Sequence, residues 1–184
     1  MKVKEATLLI LPDIGSDSAE HWQMRWMQKL STAQYIPAIK KNAIYDFSVW
    51  LNNIQSAISA APNPVIFIAH SLGVLAAIQA SINMPEKTKI KGGFFVAPPS
   101  LKKLDTINKT KNLPPYPEEK LPFPSLVISS ENDKFAIFQD IKNLSQKWGS
   151  LHINAGNSQH LAADTGHGPW PEGLLIFSNF LSKL

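Results

Sequence analysis

Apolar runs of strand length recur along the chain at Thr7–Leu11, Val65–Ala69, Gly93–Ala97, Leu126–Ser129 and Leu151–Ile153. A weaker sixth, Tyr35–Ile39, is interrupted by Pro37, which lacks the N–H a strand needs. Between them lie stretches with helical spacing: Ala19–Leu30, Phe47–Ala60, Val74–Asn83, Ile137–Trp148 and Glu172–Leu184. In the second of these, Phe47, Val49, Trp50, Leu51, Ile54, Ala57 and Ile58 form a broad apolar stripe. Strands alternating with helices predict an α/β fold, a three-layer α/β/α sandwich around a mainly parallel sheet. Chemistry in such folds collects in the loops beyond the carboxyl ends of the strands.

The length of 184 residues fits one domain spanning residues 1–184 with a substantial core. No internal repeat is visible. The irregular segment Pro98–Pro124 holds Pro98, Pro99, Pro114, Pro115, Pro117, Pro122 and Pro124. A connection of that length is expected to be functional or mobile; we read it as a flexible loop with minor substrate contacts, the alternative being a small lid.

Composition changes this picture little. Hydrophobic content of 44% with 17% charged residues describes a globular protein. The net charge of +4 is modest and its lysines are spread out, so nucleic acid is not an expected partner. The chain has no cysteine, which excludes disulfides, thiolate metal sites and a cysteine nucleophile. A charged start, Met1 to Ala6, leads straight into a strand, and no signal-like or membrane-spanning run is present. A cytoplasmic protein without a membrane partner is the expectation.

The chemistry concentrates first at Val65-Ile66-Phe67-Ile68-Ala69-His70-Ser71-Leu72-Gly73-Val74-Leu75-Ala76-Ala77. A buried strand meets a serine between small residues, and a helix-forming stretch follows. That is the layout of a nucleophile elbow, where a sharp turn lifts a serine hydroxyl over the sheet. The positions two before and two after the serine must be small, and they are Ala69 and Gly73. The Leu72 N–H, at the helix start, would then face a developing oxyanion. The plainer alternative is that Ser71 only caps the helix. An acid partner is expected after a later strand. Asp133 fits, with Glu131 as its rival and a helix cap as its alternative role. His152 falls within a strand and reads as structural. His160 and His167 both lie in the following loop, and spacing does not choose between them.

At this point the chain resembles the retinoblastoma-binding protein 9 (YdeN-like) family of small serine hydrolases, in the α/β-hydrolase superfamily. Leu11-Pro12-Asp13-Ile14-Gly15-Ser16-Asp17-Ser18-Ala19-Glu20-His21-Trp22-Gln23-Met24-Arg25-Trp26 resembles that family's LPG-x-x-x-S-x-x-x-HWQ-x-x-W opening. Ala69-His70-Ser71-Leu72-Gly73 resembles its HSLG elbow, and Asn132-Asp133 its acid loop. The closing pattern, GHIN-x-x-SG-x-G-x-WP-x-G, is met with its serine-glycine pair on Thr165-Gly166. That alignment implies a catalytic set of Ser71, Asp133 and His160. His167 falls on a variable position and remains the alternative base.

The resemblance further implies a minimal α/β-hydrolase fold without a large cap domain. The implied activity is cleavage of carboxylic esters or thioesters with small to medium acyl groups, and it needs no cofactor and no metal. The backbone around Asp13 and Ile14 would join Leu72 in the oxyanion hole. There are two departures. Asp13 stands where the family has glycine, and Gln159-His160-Leu161-Ala162 replaces Gly-His-Ile-Asn. His21 is expected to shape the site, while Trp22 and Trp26, four apart on a helix, read as core. Two rival readings differ in class. One is a metal site on His160, Asp164 and His167, which Gly166, Gly168 and Pro169 disfavour by breaking a helix. The other is a catalytically weak or inactive hydrolase-fold protein that acts through protein partners.

Overall fold

The computed structural model describes residues 1–184 apart from 16–17, 39, 42–43, 83 and 105–112. Six strands form the main sheet: β1 (Thr7–Leu11), β2 (Ala33–Tyr35), β5 (Val65–His70), β6 (Ile90–Val96), β7 (Ser125–Ser129) and β8 (Leu151–Asn154). A separate two-stranded pair, β3 (Lys40–Lys41) and β4 (Ile44–Tyr45), is antiparallel. Every pairing in the main sheet is parallel, in the order β2-β1-β5-β6-β7-β8. The order therefore reverses between β1 and β5. The crevice at such a switch point, beyond the strand carboxyl ends, is where open α/β sheets place their ligands.

Helices cover both faces. They are α1 (Trp22–Met27), α2 (Phe47–Ala60), α3 (Leu72–Ile82), the short α4 (Leu101–Leu104), α5 (Phe138–Trp148) and α6 (Pro171–Ser182). On one face, Leu9, Leu11, Phe67 and Ala69 pack with Trp50 and Ile54 of α2, Leu75 and Ile78 of α3, and Ile141 and Trp148 of α5. On the other, Leu8, Ile10, Ile66 and Ile68 pack with Trp22 and Trp26 of α1 and Phe177 and Phe180 of α6. Alternate residues of β1 and β5 thus feed opposite layers, and both strands are buried throughout. The three-layer parallel fold is as expected from the alternation, and the lack of a large cap among the described residues is as the resemblance implies.

Several boundaries move for local reasons. The helix expected over Ala19–Leu30 is only α1, because His21 is extended (φ −66°, ψ 139°) and its ring accepts the Gln23 N–H as the N-cap. The sixth strand is Ala33–Tyr35, ending before Pro37. Its predicted end, Ile39, lies outside the described residues, as do Asn83, Ser16 and Asp17. The proline-rich segment requires a correction. Its stretch 105–112 lies outside the described residues, but 113–124 is docked rather than loose. Tyr116, Leu121 and Phe123 are buried in the core, and the Trp148 Nε1–H donates to Pro117 O at 2.8 Å. Apolar side chains spaced among the prolines give this segment its own hold on α5.

Candidate active site

Ser71 follows the last residue of β5 and precedes α3, with φ 53° in the left-handed region. A non-glycine residue there is strained, and the strain is held by its surroundings. Its N–H donates to Val96 O at 2.9 Å, which ties the turn to β6. A Cβ on Gly73 would collide with the carbonyl oxygens of Leu11 and Pro12, so α3 starts in near contact with the end of β1. The small residue two after the serine is thus a steric requirement of the turn.

The acid and the histidine arrive from neighbouring strands. Asp133 lies four residues beyond β7, and His160 lies six beyond β8. The His160 Nδ1–H donates to Asp133 Oδ2 at 2.8 Å, with both residues 5% exposed. The second oxygen, Asp133 Oδ1, accepts the Phe135 N–H at 2.8 Å. Helix α5 begins only at Phe138, so Asp133 is not its cap. Since a carboxylate only accepts, His160 Nδ1 carries the proton and Nε2 is left as the basic nitrogen. That nitrogen is buried and has no hydrogen-bond partner among the described residues.

The loops around this pair are closely tied. Asn132 Oδ1 accepts from Gln159 N–H (2.7 Å) and from the Ser130 hydroxyl (2.9 Å). Phe135 packs edge-on against the His160 ring, with centroids 4.7 Å apart. Gln159 and Leu161, on either side of the histidine, have φ of 50° and 51°. The family glycine missing before His160 is therefore replaced by a strained glutamine held through Asn132.

The remaining candidates sit elsewhere. Glu131 is exposed and accepts from Asn154 Nδ2 at 2.7 Å. His152 pairs with the Ser129 hydroxyl at 2.8 Å across the β7–β8 step. His167 is half-buried, faces Thr165 O at 3.1 Å and packs edge-on against Trp170, so Asp133 meets His160 and not His167. Among the described residues no group of three His, Cys, Asp or Glu could hold a metal ion. No described helix is long and apolar enough to cross a membrane.

The opening motif does more than pack. The Trp22 Nε1–H donates to Leu161 O at 3.0 Å, fixing the loop that carries His160. The Gln23 amide donates to Leu11 O and Ile68 O, both at 3.0 Å, stitching the ends of β1 and β5. His70, to which the sequence pattern assigns no role, donates from Nε2 to His160 O at 2.9 Å. His21, His70 and His160 form a file with ring centroids 4.9 Å apart at each step. Burial holds His70 well below the usual histidine value, helped by His160 and His21. Burial likewise brings His21 down to about 4, with His160 adding to the effect. A histidine closing an otherwise apolar strand, inside the HSLG elbow, is a signal that could have singled out His70.

Asp13 is the largest surprise. Its carboxylate Oδ1 accepts the Ile14 N–H at 2.8 Å and the Leu72 N–H at 3.4 Å, and its Oδ2 lies 3.9 Å from His160 Nε2. Burial raises its pKa above the usual carboxylate value. Attraction to His160, the Ile14 N–H, the Ser71 hydroxyl and the Leu72 N–H pull the other way. The residue expected to lend only its backbone thus places its side chain on the N–H groups expected to bind an oxyanion.

Similarity to known proteins now decides the family. The serine hydrolase family model matches residues 8–179. The chain belongs to the serine hydrolase family. It is similar to a YdeN-like hydrolase of Pectobacterium atrosepticum, at 27% identity over 96% of this chain and 91% of that one, with a TM-score of 0.82. The ydeN product of B. subtilis shares 17% identity over 97% and 99% of the two chains, with a TM-score of 0.74. A Thermogutta terrifontis esterase with bound propionate shares the fold at 12% identity, covering 97% and 83%, with a TM-score of 0.67. No curated protein matches in sequence. The chain is a small YdeN-like serine hydrolase with the α/β-hydrolase fold.

Proposed function

We propose that this hydrolase cleaves carboxylic esters or thioesters of small to medium acyl groups, with Ser71 as nucleophile, His160 as base and Asp133 as the orienting acid. The observation that carries the reading is the buried His160–Asp133 pair, 2.8 Å apart, with Nε2 left unpartnered at the sheet end that also presents Ser71. Support also comes from the family and from the fold shared with an esterase and with the type II thioesterase of the borrelidin cluster.

The chemistry follows from the groups present. A serine hydroxyl is a weak nucleophile near neutrality and needs a base to take its proton as it attacks. His160 Nε2 takes that proton while Ser71 Oγ bonds to the substrate carbonyl carbon. The protonated ring then delivers it to the departing alkoxide or thiolate, leaving an acyl-serine. Water repeats the sequence, giving the carboxylic acid and free Ser71. Asp133 holds the tautomer and stabilises the imidazolium. The N–H groups of Leu72 and Ile14 stabilise the tetrahedral oxyanion, each worth about 3 kcal/mol in comparable sites.

A small cavity of about 60 Å³ reaches His160, between Asn132, Phe135 and Gln159 on one side and Asp164 and Thr165 on the other, in keeping with a modest acyl or leaving group. Ser71→Ala should abolish ester hydrolysis while leaving the fold intact, as read by p-nitrophenyl ester turnover and circular dichroism. Retained turnover in the purified variant would remove the serine from the mechanism. One observation favours the weak-hydrolase reading: the Asp13 carboxylate lies on both oxyanion N–H groups.

A further inference from the structure

We infer that the Asp13 side chain is a displaceable occupant of the oxyanion hole that sets which acyl groups the site accepts and drives the acid product out. The inference rests on the proposed roles of Ser71, Leu72 and Ile14. Oδ1 accepts from Ile14 and Leu72, the two donors that an ester carbonyl oxygen needs, and Oδ2 faces the basic nitrogen of His160 at 3.9 Å. A carboxylate so placed imitates a bound carboxylic acid product. An ester reaches the two N–H groups only by moving it aside.

The displaced carboxylate stays tethered to the loop after β1, one side chain's length from the reacting carbon. Asp13 shares this space with the buried Ser71 and His160, its Oδ2 3.9 Å from His160 Nε2. A second negative charge nearby therefore meets repulsion in a partly dry site. Substrates whose acyl chain ends in a carboxylate are disfavoured, and neutral or cationic acyl chains are accepted. The same logic acts after hydrolysis. The product is itself a carboxylate, does not hold the seat against Asp13 and is repelled as Asp13 returns. Glycine at this position, as in the family pattern, lacks that device.

The test has two arms. In the first, the rate of fluorophosphonate labelling at Ser71 is compared between the wild type and Asp13→Ala by intact mass. Labelling should be about tenfold faster in the variant, the equivalent of one charge-assisted hydrogen bond. In the second, acetate is titrated against the Leu72 and Ile14 amide signals of Ser71→Ala, with and without Asp13→Ala. Those signals should move only when Asp13 is absent. Equal or slower labelling in a folded Asp13→Ala protein overturns the inference, and so does acetate binding at these amides with Asp13 in place. That second outcome is read on a protein that keeps Asp13, so it stands even where Asp13→Ala fails to fold. Failure of Ser71 to label in either protein would count against the serine mechanism instead, and the acetate arm would still decide whether the hole is filled.

Discussion

The two sides of the site are built differently. On the side of β7 and β8, His160 is fixed from every direction: Asp133 holds its ring, His70 holds its carbonyl, Asn132 holds the residue before it and Trp22 the residue after it. On the side of β1, the backbone is pinned by Gln23 and by the contact with Gly73, yet the space it shapes is filled by the chain's own Asp13. In the proposed mechanism the base is ready before substrate arrives, whereas the oxyanion hole must be vacated. Electrostatic stabilisation is usually the larger share of catalysis, so on this proposal a filled hole governs the rate even beside a well-ordered base.

Removing the ordered side costs most. His160→Ala should lower ester turnover by a factor of about 10³ or more, because such residues act as a unit. His167→Ala should stay within roughly threefold of wild type, since that ring lies on Thr165 and Trp170. The reverse pattern in kcat would transfer the base to His167.

Gly73→Ala attacks the other side through the backbone. Its Cβ would meet the Leu11 and Pro12 carbonyls, and neither strand end nor helix start can yield cheaply. A loss of roughly 3 kcal/mol in urea unfolding is expected, with activity falling alongside. An unchanged midpoint would mean that the turn is looser than its geometry.

Acid probes the ordered side without mutation. His21 is depressed to about 4 and His70 lies well below the usual value, so the unfolded chain takes up protons first. Stability is present in full above about pH 6.5 and falls as the pH drops through the window toward 4. For His21 alone the loss amounts to roughly 3 kcal/mol across that window. A melting temperature that stays level from pH 7 to about pH 4.5 would contradict the buried neutral file.

Much of this is legible in the order of residues. Thr7–Leu11 and Phe47–Ala60 coincide with their elements because each is a cleanly patterned apolar run with a proline, Pro12 or Pro62, just beyond its end. Ser71 stands out because Gly73 and the apolar strand before it leave few other conformations. His160 does not stand out from His167 by spacing: both lie in one loop, and only the folded path brings one of them to Asp133. The docking of 113–124 is hidden among prolines, since Tyr116 and Phe123 have no periodicity to announce burial. Asp13 shows the sharper limit. Its departure from glycine is visible, but the direction of its side chain depends on where β1 ends relative to α3, which no local pattern encodes.

Whether Ser71 is an activated nucleophile is read most simply from the intact mass of the protein after incubation with a fluorophosphonate, on wild type and on Ser71→Ala. A single adduct on the wild type and none on the variant is the expected result. A folded wild type that takes no adduct, or a variant that is labelled as readily, would contradict the serine mechanism.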